Sequence, residues 1–125
     1  MLTSSPIVAF VATVDPGRAK AFYAQTLGLR LTSEDSFALV FDAGGTMLRV
    51  ATVQELKPAG YTVLGWIVAD IENTIRTLIG KGVSFQRYPG MPQDANGVWT
   101  SPGGARIAWF LDPDGNTLSL TEVPS

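Results

Sequence analysis

Arg49 and Trp99 are the side chains whose type and setting best suit chemistry in this chain. Arg49 alternates with Met47 and Ala51, so the three share one side of an extended segment. A guanidinium there offers planar, bidentate hydrogen bonds to a carboxylate or phosphate. The same residue could also be a plain surface arginine, or one paired with an internal acid. Trp99 stands between Asn96-Gly97 and Ser101-Pro102-Gly103-Gly104. An aromatic held in such a loop can cover a ligand, or can anchor the loop to a sheet.

What the chain lacks bounds the chemistry further. With no histidine and no cysteine, it has neither the commonest general base nor a thiol nucleophile. Any metal would have to sit on oxygen ligands alone. No histidine is present to activate Ser119 as a nucleophile. Asp112-Pro113-Asp114-Gly115-Asn116 looks briefly like a calcium loop, but its glycine is fourth rather than sixth and Val123 stands where the bidentate Glu is expected. It reads as a tight turn. Gly103-Gly104 does not make a nucleotide-binding loop.

Nine basic and 11 acidic residues leave a net charge of −2, with no concentration of Lys or Arg. Nucleic acid is therefore not an expected partner. No apolar run reaches the roughly 20 residues needed to span a bilayer, so the expectation is no membrane and a cytoplasmic protein.

The elements that must position these side chains follow from pattern. Ile7–Val14 is apolar throughout, as a strand covered on both faces would be. Asp15 and Pro16 suit the N-cap and first position of a helix. Ala19, Phe22, Tyr23 and Thr26 form its buried face, and Gly28 ends it. Strands are expected at 29–33, 37–42 and 46–51, with Ala43-Gly44-Gly45 as a hairpin loop. Val53–Gly60 reads as a linker. The pattern then restarts with a strand at 63–69, on which Trp66 shares a face with Leu64 and Val68 and packs under a helix. Asp70 caps that helix, which buries Ile71, Ile75, Leu78 and Ile79. Strands are expected at 83–87, 106–111 and 117–121, with an inserted segment, Tyr88–Gly104. Asp15 and Asp70 thus hold equivalent places, 70 − 15 = 55 residues apart. The fold class is α+β: an internal duplication of a βαβββ unit in a single domain, with module one about 6–52, the linker about 53–60 and module two about 61–123.

Asp15-Pro-Gly-Arg-Ala-Lys-Ala-Phe-Tyr, with Thr26-Leu-Gly-Leu behind it, resembles the opening of the vicinal oxygen chelate superfamily. That group includes glyoxalase I, bleomycin-resistance proteins, fosfomycin-resistance enzymes and extradiol dioxygenases. Phe110-Leu-Asp-Pro-Asp-Gly-Asn-Thr-Leu-Ser-Leu resembles its closing signature. The resemblance implies two modules whose mixed sheet curls around a shared cavity, with helices outside and a homodimer as partner. It also implies a divalent metal on His, Gln or Glu. Those positions fall near Val8, Arg49, Val63 and Ser119, none of which is an ordinary ligand. Glu122, at an odd offset from Ser119, points to the other face.

No metal and no cofactor is therefore expected. Phe10 (on the side of Val8), Arg49, Trp99, Trp109 and Ser119 are the candidate ligand-binding residues. The leading expectation is a small-molecule binding protein that holds an aromatic or amphiphilic anion without metal. The alternative is a metal-free lyase or isomerase with a carboxylate base.

Overall fold

The computed structural model describes the whole chain, Met1–Ser125, which divides into two compact units, Met1–Lys57 and Pro58–Ser125.

The first unit holds strands β1 (Val8–Thr13), β2 (Arg30–Glu34), β3 (Ala38–Ala43) and β4 (Thr46–Thr52). They lie in the order β1-β4-β3-β2, with β1 parallel to β4 and the other pairs antiparallel. Asp15 caps helix α1 (Pro16–Lys20): its Oδ1 accepts from the Arg18 amide at 3.1 Å, meeting one of the orphan donors of the first turn. The helix widens into a π-helical stretch, Ala21–Thr26, where the Leu27 amide reaches back five residues to the Phe22 carbonyl. Gly28, at φ +75°, then turns the chain into β2. Ala19 and Tyr23 are buried, and Tyr23 packs its ring 5.9 Å from that of Phe41. Leu39, Phe41, Leu48 and Val50 complete this core on one face of the sheet.

β1 departs from the expectation of cover on both faces. Val11 and Thr13 are buried, but Val8 is 43 % and Phe10 61 % exposed. β1 is an edge of its sheet, and the helix covers one face of that sheet.

The second unit repeats the topology: β5 (Thr62–Ile67), β6 (Trp99–Thr100), β7 (Arg106–Leu111) and β8 (Thr117–Glu122), in the order β5-β8-β7-β6. Asp70 caps helix α2 (Ile71–Gly80) by accepting from the Asn73 amide, again at 3.1 Å. Glu122, facing the helix side, accepts from the Ile71 amide at 3.0 Å. Ile71, Ile75 and Leu78 are buried against Phe110, Leu118 and Leu120 of the core, whereas Ile79 is 52 % exposed and leaves the expected buried face. The architecture is α+β, two tandem βαβββ modules with one mixed four-stranded sheet each.

Residues 83–87 do not form the expected strand. They make only an isolated bridge, Phe85 to Phe110, in which the Gln86 amide donates to the Trp109 carbonyl at 2.8 Å. Pro89 has no amide to give and Gly90 turns at φ +80°, so the ladder stops. The remaining strand of the module is instead Trp99–Thr100, inside the segment expected to be an insertion. The side chain of Gln93 holds that segment together. Its Nε2 donates to the carbonyls of Gln86 (3.0 Å) and Gly97 (2.8 Å), and its Oε1 accepts from the Tyr88 amide at 2.8 Å.

Candidate functional site: two sheet faces left uncovered by the helices

In the first unit, register places Phe10, Arg49 and Val40 in one row across β1, β4 and β3. Neighbouring rows are Val8, Met47 and Asp42, and Ala12, Ala51 and Ala38. Strand residues alternate between faces, so these lie opposite the buried set of Leu39, Phe41, Leu48 and Val50. Met47 is 49 % exposed, between its neighbours Val8 and Phe10. Arg49 is therefore set in a largely apolar, accessible surface. It is half-buried, and its guanidinium donates no hydrogen bond and closes no ion pair within the chain.

Asp35 is the acid nearest in effect to Arg49. It accepts from the Phe37 amide at 2.8 Å and the Ala38 amide at 3.0 Å. Those two bonds, and to a smaller extent the charge of Arg49, hold its carboxyl below the usual carboxylate range. Beside Arg49, a cavity of about 300 Å³ opens between Arg30, Thr32, Val40, Asp42 and Met47. Its two charges answer each other, Arg30 to Asp42 at 3.1 Å.

In the second unit, the face away from α2 carries Trp109, Ser119 and Gly65 in one row. By the 55-residue offset, Phe10 corresponds to 10 + 55 = 65, so Phe10 faces Arg49 as Gly65 faces Ser119. Ser119 is buried, and its hydroxyl fills the room that Gly65 leaves: a Cβ at Gly65 would lie 2.4 Å from Ser119 Oγ. Trp99 pairs with Ile107 on the same face and sets its ring 6.4 Å from that of Trp109. The Trp109 indole Nε1 donates to Thr62 Oγ1 at 3.0 Å, and Tyr88 meets the indole edge-to-face at 5.6 Å and 82°. Trp109 lines a cavity of about 260 Å³ together with Tyr61, Thr62, Tyr88, Met91 and Thr117. Trp99 and Ser119 are its neighbours and not its lining.

Of the five candidates, Phe10 and Arg49 are thus brought together in the first unit, and Trp99, Trp109 and Ser119 in the second. Tyr88, Met91 and Thr62 were not among them. The Pro89-Gly90 pair beside Tyr88 marks a loop, but nothing local says that it returns to Trp109. Asp35 was also missed, because a lone acid in a polar turn carries no signal of its own.

At the four positions that the sequence resemblance points to, the side chains are of types other than His, Gln or Glu. Val8 and Val63 are alkyl, Arg49 is cationic and Ser119 offers one hydroxyl. No three His, Cys, Asp or Glu side chains gather so as to hold a metal ion. Glu122 is spent on the α2 amide and on Arg106, 3.6 Å away. No helix is long and apolar enough to cross a membrane.

Residues 7–120 match the family model of the Glyoxalase/Bleomycin resistance protein/Dioxygenase superfamily, and the chain belongs to that superfamily. Among solved structures, it is similar to a member of the superfamily from Sphaerobacter thermophilus, at 26 % identity and a TM-score of 0.75, over 98 % of this chain and 99 % of that one. It is also similar in fold to a lactoylglutathione lyase from Agrobacterium tumefaciens, at 17 % identity and a TM-score of 0.75, over 95 % and 93 % of the two chains. A glyoxalase family protein from Enterococcus faecalis aligns at 20 % identity and a TM-score of 0.74, over 98 % of this chain and 100 % of that one. None of the curated proteins matches the sequence significantly.

Proposed function

We propose that this protein is a small-molecule binding member of its superfamily that works without the family's metal, and that its ligand is an aromatic or amphiphilic anion held at Arg49. The observation that carries this reading is an Arg49 guanidinium with no hydrogen bond of its own, set on an open sheet face between Phe10 and Val40. A half-buried guanidinium on apolar surroundings gains most from a planar anion that supplies the missing acceptors. The alkyl and aromatic groups around it suit the apolar part of the same molecule.

The alternative is a metal-free lyase or isomerase. Such an enzyme needs a carboxylate poised to take a proton near neutral pH. Asp35 is held the other way, ionised and weakly basic, by two backbone amides and by Arg49. That contrast supports binding over proton abstraction. A homodimer belongs to the same reading, since Phe10 is 61 % exposed on the edge strand β1 and Ile7, just before that strand, is 72 % exposed.

A thermal-shift panel of divalent metals and small aromatic acids tests it. A carboxylate at about 100 times its Kd adds roughly 2.7 kcal/mol and raises the midpoint by several degrees. The rise should shrink in Arg49→Ala. Stabilisation by a stoichiometric metal, with none by any organic acid, would sink the proposal.

A further inference from the structure

The cavity at Trp109 contains no charged side chain, in contrast to the Arg49 face. It is lined by Tyr61, Tyr88 and Trp109 together with Met91, Thr62 and Thr117, and its volume is about 260 Å³. We infer that this cavity is a binding site for a small uncharged planar ring, such as a phenol or an indole. The inference concerns the second unit alone and stands whether or not Arg49 binds an anion.

Three features carry it. First, the Trp109 indole is already fixed, because its N–H is bonded to Thr62 and Tyr88 braces it edge-on. A ring that enters therefore meets a preformed wall and does not have to order it. Second, the loop that brings Tyr88 is pinned by Gln93, whose carbonyl oxygen accepts from the Tyr88 amide. Third, the chemistry is that of a neutral guest. Burial raises the Tyr88 phenol above its ordinary value, so Tyr88 stays protonated, and its hydroxyl makes no hydrogen bond in the chain. Thr62, Thr117 and Tyr88 hydroxyls can answer one ring hydroxyl or N–H. No lining group carries a charge that could pair with an ion. Aromatic walls favour offset or edge-on contact with a second ring, and the Met91 thioether can adapt to its outline.

The test is a titration of the ¹⁵N-labelled protein with phenol, followed at the indole Nε1–H resonances of its three tryptophans. Phenol should shift Trp109 saturably and leave Trp66 in place. Trp109→Ala, and independently Tyr88→Ala, should weaken phenol binding by at least about tenfold. Tyr88 lies outside any strand or helix, which keeps one variant informative if the other folds poorly. Arg49→Ala should leave phenol binding unchanged while it removes the anion response, so the two proposals fail separately. The inference is overturned if Trp109 does not move at millimolar phenol, or if benzoate or phenyltrimethylammonium displaces phenol and binds more tightly. Loss of phenol binding in Arg49→Ala would overturn it too.

Discussion

Gly65 lies directly across the parallel β5–β8 pair from Ser119, close enough that a Cβ on Gly65 would sit 2.4 Å from the serine Oγ and 3.3 Å from its carbonyl oxygen. The serine hydroxyl and the missing side chain are thus one steric unit. Gly65→Ala should destabilise the fold by about 1–3 kcal/mol, the usual cost of overpacking. Ser119→Ala should cost little alone and should recover part of the Gly65→Ala loss, but not all, since the carbonyl contact remains. Urea midpoints across the double-mutant cycle measure the coupling. Additive effects would refute it.

The acid limb of the stability curve should report on Asp35 and Asp42. Backbone amides lower both carboxyls, those of Phe37 and Ala38 for Asp35 and that of Gly45, with Arg30, for Asp42. An unfolded Asp titrates near 3.9, above either folded value. The stabilisation is therefore complete above about pH 4–5 and is lost as pH falls through the folded values. Asp35→Asn should flatten that limb in urea titrations run at a series of pH values. Arg49→Ala should raise the Asp35 pKa and leave that of Asp42 in place, which carboxyl ¹³C titration resolves.

Two acids serve the start of α2, Asp70 at the Asn73 amide and Glu122 at the Ile71 amide. Asp70→Ala should cost about 0.5–2 kcal/mol, and Glu122→Ala should fall at the lower end of that range because the carboxylate is partly exposed. Glu122 also lies 3.6 Å from Arg106, which bonds to Glu72. Both changes fray the same turn, so the double variant should lose less than the sum. Thermal unfolding of the four proteins decides it.

Phe10 should matter for association and binding and not for folding. It is 61 % exposed, whereas Leu48 of the same sheet is fully buried. Phe10→Ser should change stability within about 0.5 kcal/mol, against about 2–5 kcal/mol for Leu48→Ala. In sedimentation velocity the parent chain should run at twice its 13.3 kDa mass and Phe10→Ser at the single mass. A parent that sediments as a monomer would remove the homodimer from the reading.

The duplication was legible because Asp15 and Asp70 act through the nearest few residues: a cap, a helix face and a glycine exit are local events. The α+β class and the tandem modules follow from that recurrence. Three things were not legible, each for a physical reason. Ile7–Val14 is apolar at every position, so alternation could not reveal that Phe10 faces outward. A two-residue strand at Trp99–Thr100 is shorter than any period, so it could not be told from loop. The partners of Gln93, Trp109 and Asp35 depend on where distant backbone comes to rest. For the site, the alternation of Arg49 with Met47 and Ala51 could be read from the sequence. The neighbours that complete the Trp109 cavity, Tyr88 and Met91, could not.

The Gln93 clasp ties the loop to a chemical clock. Its amide nitrogen donates to two carbonyls and its oxygen accepts from an amide. Hydrolysis of that one group to a carboxylate keeps the acceptor but sets a second, charged oxygen against the carbonyls of Gln86 and Gly97. Slow deamidation, a change of about one mass unit, would thus free Gln86 and Gly97 from the clasp and loosen the loop that carries Tyr88, without cutting the chain. Preparations stored warm or alkaline should drift in their aromatic pocket before they lose their fold, and the age of a sample becomes an experimental variable.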